Sequence, residues 1–113
     1  MEKSLGVILR ACRKKKELLI RQVASSIEID QAILSKYETD KKLPTKEHVD
    51  KLANLYEEAK NEIMIAYLSD KMAEDLKDED LLGKVMKAAE EKIKYNKLHP
   101  KPEKVKKSQP DKK

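Results

Sequence analysis

The chain has 113 residues, 42% of them charged and 39% hydrophobic, with four Tyr and neither Trp nor Phe, which allows one small domain and excludes a large enzyme core. Its formal net charge of +5, from 26 Lys and Arg against 21 Asp and Glu, points to an acidic partner such as nucleic acid or an anionic membrane. One cysteine and two glycines exclude an intramolecular disulfide, a multi-thiolate zinc site, a GxGxxG turn and a P-loop.

Apolar spacing predicts helix almost throughout. Ser4 is placed to cap a first helix carrying Leu5, Ile8, Leu9 and Cys12 at i, i+3, i+4 and i+7 and running to about Lys16, with Cys12 as a small core residue. Ile20, Val23, Ala24 and Ile27 define a short second helix ending near Ser26. Asp30 then caps a third, with Ile33, Leu34 and Tyr37 on its apolar face. A polar loop closed by Pro44 leads to a fourth helix that opens at Thr45 and carries Val49, Leu52, Ala53 and Tyr56. A fifth carries Ala59, Ile63, Met64, Tyr67 and Leu68.

Residues 69–80 are acidic and weakly apolar and read as a connecting turn or partial helix. From Leu81 to about Asn96 a final amphipathic helix sets Leu82, Val85, Met86, Ala89 and Ile93 on one face, and Lys84, Lys87, Glu91 and Lys94 on the other. One helix cannot bury that stripe, so it docks either on the domain, as a lid, or on another chain, as a dimer helix. From Lys97 onward, three prolines and seven lysines with few aliphatics predict a disordered basic tail. The expected organisation is all-α: a domain over residues 1–68, an acidic connector and amphipathic helix over 69–96, and a tail over 97–113.

The tail carries the whole +5, and the body before it is neutral. Within that body, residues 1–56 sum to +4, residues 57–80 to −6 and residues 81–96 to +2, so an anionic ligand is steered to the first half unless the imbalance is ordinary surface charge. His48 and His99 are isolated, and no nucleophile–base pair or metal set stands out, so neither enzyme activity nor a metal nor a cofactor is expected. No secretory leader pattern and no apolar run near the ~18 residues of a membrane span is visible, which predicts an intracellular, soluble, cytoplasmic protein.

Two short helices, Ile20–Ser26 and Gln31–Glu38, joined by a tight turn have the geometry of a helix-turn-helix. With Ile33, Leu34 and Tyr37 facing inward, Gln31, Ala32, Ser35 and Lys36 turn outward together. That set suits the major groove: Gln bonds adenine bidentately, Ala touches a thymine methyl, Ser bonds variously, and Lys reaches guanine or phosphate.

At this point residues 4–66 resemble the Cro/repressor (XRE) class of helix-turn-helix DNA-binding domains. The resemblance rests on Leu5-Gly6, Leu9-Arg10 and Arg13 in the first helix and Gln22-Val23-Ala24 in the second. It continues through Ile33-Leu34-Ser35-Lys36-Tyr37-Glu38 in the third helix and Lys41-Lys42-Leu43-Pro44-Thr45 ahead of Leu52-Ala53. It implies a compact five-helix lambda-repressor-like domain and an ion pair between Arg13 and Glu38 that orients the third helix. Glu17 and Glu28 stand where the family often has glycine, so Glu28 either accepts a left-handed turn at about 1 kcal/mol or closes the turn differently; a slightly altered turn with the fold intact is expected. Leu19-Ile20 replaces the usual Ser or Thr followed by Gln, which removes one phosphate contact the family would lend.

Phosphate contacts are expected from Arg21, Lys41, Lys42 and Lys46, with Ser35 as a further candidate. The run Arg13-Lys14-Lys15-Lys16 reads either as a duplex contact or as a helix end complementing its macrodipole. The function expected is sequence-specific double-stranded DNA binding by a small transcriptional regulator, as a homodimer on a palindromic operator. The dimer surface is either the fifth helix with Tyr67 and Leu68 or the stripe Leu82, Val85, Met86, Ala89 and Ile93. The alternative is an antitoxin whose DNA binding is autoregulatory and whose residues 57–96 hold a protein partner.

Overall fold

The computed structural model describes residues 3–100, in two units: one ending at Lys77, the other beginning at Asp78. The basic tail expected after Lys97 falls, beyond Pro100, outside the described residues. In the first unit Leu5 and Leu9 of α1 (Leu5–Lys15) meet Val23 of α2 (Ile20–Ser26), Leu34 and Tyr37 of α3 (Gln31–Glu38), Val49 and Leu52 of α4 (Lys46–Leu55) and Ile63 of α5 (Lys60–Leu76) in one core. Their side chains are almost wholly removed from water, each fully buried aliphatic contributing about 1.5–3 kcal/mol. A single 3-10 turn, Glu57–Ala59, joins α4 to α5. The second unit holds α6 (Leu82–Leu98). Among the described residues there is no strand, and no helix is long and apolar enough to cross a membrane.

Three expectations need correction. The fifth helix does not give way to a connector after Leu68 but continues through Leu76. Residues 69–76 contain no Gly or Pro and are rich in strong helix formers, and these sustain the helix where apolar periodicity fades. A Lys77–Glu74 pair at 2.8 Å sits at its end. The final helix likewise runs past Asn96 to Leu98. Tyr67 is not on an open surface: it is 3% exposed and packs into the core beside Ile63, whereas Leu68 is half exposed.

Side chains supply most of the helix N-caps in the first unit. Ser4, Asp30 and Thr45 accept from the amides of Val7 (3.2 Å), Ala32 (2.7 Å) and His48 (3.1 Å). Leu19 has no acceptor to offer α2, and there the cap runs the other way: the Leu19 N–H donates to Gln22 Oε1 at 2.7 Å.

The C-termini of α1, α2 and α3 share one device. Glu17, Glu28 and Asp40 follow the caps with φ of 57°, 60° and 59°, in the left-handed region that usually needs glycine. Each helix closes by the paired bonds of a Schellman motif. Leu18 N–H donates to Arg13 O (3.1 Å) and Glu17 N–H to Lys14 O (2.9 Å); Ile29 N–H donates to Ala24 O (2.9 Å) and Glu28 N–H to Ser25 O (3.2 Å). Lys41 N–H donates to Lys36 O (2.9 Å) and Asp40 N–H to Tyr37 O (3.3 Å). Leu18 and Ile29, just past the first two turns, pack against the core. The turn after α2 therefore accepts left-handed strain at Glu28 rather than closing differently.

Asp40 adds a long-range cap that local pattern did not indicate. Its Oδ1 accepts from the Gly6 N–H at 2.9 Å and its Oδ2 from the Ser4 hydroxyl at 2.6 Å, tying the start of α1 to the end of α3. The approach is so close that a Cβ on Gly6 would lie 2.7 Å from the Glu38 carbonyl oxygen and 2.8 Å from Asp40 Cγ.

Gly6→Ala is expected to lower stability by about 1–3 kcal/mol through this clash. Glu28→Gly is expected to raise it by about 1 kcal/mol by relieving left-handed strain. Equilibrium denaturation checks both, and identical midpoints for the two variants would contradict the account.

Candidate nucleic-acid interface

The helix-turn-helix is positioned by groups on α1 and α4 and by a cap of its own. Lys51 of α4 reaches the turn, its Nζ donating to the Ile27 carbonyl at 3.2 Å and so satisfying an otherwise open acceptor at the end of α2. Asp30 fixes the first turn of α3, directly under Gln31 and Ala32. The far end of α3 is held by Arg13. Its Nε donates to Glu38 Oε2 at 2.8 Å and its Nη2 to Glu38 Oε1 at 2.9 Å, a two-bond fork between planar groups, while Nη1 donates to the Leu18 carbonyl at 3.0 Å. Their side chains are 11% and 3% exposed, so water does little to screen the pair.

The bond to Glu38 holds the Arg13 guanidinium charged more firmly than usual. Beside them the Tyr56 phenol is buried, and desolvation, with the Glu38 charge second, pushes its pKa well upward. Tyr37 is also raised by burial, and its hydroxyl shares a 2.6 Å hydrogen bond with His48 Nδ1. His48, unremarkable as a sequence position, thus fastens α3 to α4.

What α3 leaves facing outward is Gln31, Ala32 and Lys36, all exposed, with Ser35 half-buried. The Ser35 carbonyl accepts from Thr39 Oγ1 at 2.9 Å. Arg21 on α2 and Lys41 and Lys42 after α3 are exposed and form no ion pair among the described residues. Lys46 differs: its Nζ sits 3.0 and 3.1 Å from the two carboxylate oxygens of Asp50, so a phosphate must compete with that partner. The run Arg13–Lys16 is not a uniform basic edge, because Arg13 turns inward and Lys14, Lys15 and Lys16 remain outside.

An outward set of small or extended polar side chains flanked by unpaired cations can reach base edges and backbone phosphates together. Cys12 is partly buried against the core, and burial pushes its thiol up, away from the reactive thiolate. Among the described residues no group of three or more His, Cys, Asp or Glu is placed to hold a metal ion.

Comparison with known proteins agrees with the geometry. The family model described as helix-turn-helix matches residues 9–62, from the middle of α1 into the start of α5. No curated protein and no solved structure matches the chain.

Removing one partner of the buried fork leaves the other charge unpaired in the interior. Glu38→Ala is therefore expected to cost about 3–5 kcal/mol, well above the ~0.2–1 kcal/mol of a surface pair. Thermal melting followed by circular dichroism measures it, and an unchanged melting temperature would refute the role given to Arg13.

Proposed function

Residues 9–62 are a DNA-binding helix-turn-helix domain of the Cro/repressor (XRE) type, and from that premise we propose that the chain is a sequence-specific transcriptional regulator acting as a homodimer on a palindromic operator. The observation that carries this reading is the exposed row on α3. Gln31, Ala32 and Lys36 project from a helix whose two ends are both anchored, by Asp30 at one and by Arg13 and Asp40 at the other. In this reading Gln31 bonds adenine, Ala32 packs on a thymine methyl, and Ser35 and Lys36 complete the base contacts. Arg21, Lys41 and Lys42 set register on the phosphates, and Lys46 joins them only by exchanging Asp50 for a phosphate oxygen. One module makes few contacts, so two copies on half-sites about one helical turn apart supply the specificity.

The acidic segment over residues 57–80, at −6, favours a second reading, in which this region holds a basic protein partner and DNA binding regulates the chain's own synthesis, as in an antitoxin. Tight operator binding by the purified chain alone, with partner binding unchanged when the acidic side chains over residues 57–80 are neutralised, would exclude it.

Base reading and phosphate gripping leave different signatures. Gln31→Ala is expected to cost about 1–3 kcal/mol on the operator and relax preference at one or two base pairs. Lys42→Ala should weaken all sequences alike and reduce the salt slope by about one. Selection of bound sequences from random duplex DNA, followed by salt titration, measures both; equal losses on operator and random DNA for the two variants would overturn the assignment.

A further inference from the structure

The unit beginning at Asp78 carries an apolar stripe and a lengthwise charge polarity. Leu82, Met86, Ala89 and Ile93 recur at i, i+4, i+7 and i+11, which sets them on one face of α6, with Val85 at its border. No residue of α6 is buried, and Leu82, Met86 and Ile93 are 45%, 43% and 55% exposed. Asp78, Glu79 and Asp80 lie just ahead of the helix, with Lys84 and Lys87 in its first turns, whereas Lys92, Lys94 and Lys97 occupy its last turns beside Glu90 and Glu91, Lys94 lying 3.7 Å from Glu90.

We infer that this face docks on the same face of a second copy of the chain, antiparallel, so that the acidic approach to each α6 lies along the basic end of the other. The inference rests on the homodimer reading above and specifies its surface.

Orientation follows from charge and size. A parallel pair sets three carboxylates beside three carboxylates and three ammonium groups beside three, which repels at both ends. Reversing one helix turns both ends attractive and opposes the two helix macrodipoles. Packing prefers the same choice. In the antiparallel register Leu82 faces the partner's Ile93 and Met86 faces the partner's Ala89, so a large side chain meets a small one in the middle layers. A parallel register stacks Ala89 on the partner's Ala89 and leaves a gap. The antiparallel contact is also self-complementary under a two-fold axis, as a closed dimer requires, and the same symmetry is that of a palindromic operator.

Sedimentation of the full chain without DNA tests it, beside operator binding measured separately. The wild-type chain should sediment at twice its monomer mass. Asp78→Lys, Glu79→Lys and Asp80→Lys together should weaken the dimer about tenfold. Adding Lys92→Glu, Lys94→Glu and Lys97→Glu to the same chain should restore it, because the antiparallel ends become complementary again. Leu82→Glu with Ile93→Glu should abolish it while the helical signal of the first unit survives.

Failure of the second triple to rescue overturns the antiparallel arrangement. A dimer that persists in Leu82→Glu/Ile93→Glu overturns α6 as the surface but leaves the operator homodimer standing. The exposed α5 residues Ile65, Leu68 and Met72 are then the next surface. A wild-type monomer that reads a single half-site overturns both.

Discussion

Arg13 is the side chain on which the arrangement of the first three helices turns. From α1 it grips the last residue of α3 through two hydrogen bonds and, with its third nitrogen, the Leu18 carbonyl that leads into α2. A buried charge of this kind does little for net stability compared with a well-packed apolar group, because both ions lose hydration. What it supplies is geometry: a guanidinium and a carboxylate meet as a fork in one orientation only, so α3 is fixed about its own axis as well as in position. Rotation about that axis decides whether Gln31 or Leu34 faces outward, and hence whether a groove is met by a polar reader or by part of the core.

A second constraint acts at the same end of α3. Asp40 caps the start of α1 while its own backbone is left-handed, and Gly6 is what allows the two chains to approach. Arg13 and Asp40 thus hold the last turn of α3 from two places along α1. The first turn of α3 is secured only locally, by Asp30. Gln31 and Ala32 lie at the locally secured end, and Lys36 in the last turn that α1 holds.

Much of this was legible in the residues. The boundaries of α2 and α3 and the caps Ser4, Asp30 and Thr45 are local features written in spacing and side-chain chemistry, whereas the turn at Glu28 keeps the left-handed closure instead of the altered one expected. The Asp40 cap on α1, the Lys51 bond to the turn and the Tyr37–His48 bond were not legible, because each joins residues far apart in sequence whose local settings are ordinary. Tyr67 was misplaced because an amphipathic stripe reports that a face is buried without saying against what. The length of α5 was missed because intrinsic propensity, not apolar period, carries its last turns. At the interface, Arg21, Lys41, Lys42 and Lys46 look alike as letters; only the position of Asp50 separates Lys46 from the rest.

The left-handed glutamates have an electrostatic consequence beyond strain. Glu17 and Glu28 are both exposed, Glu28 within the helix-turn-helix itself. Glycine there would relax the backbone and also remove a negative charge from a region whose excess is only +4. Phosphate attraction is blind to sequence, so that change would strengthen attraction to every stretch of duplex together. An acid at a position that sterically favours glycine costs folding stability and at the same time lowers that sequence-blind attraction.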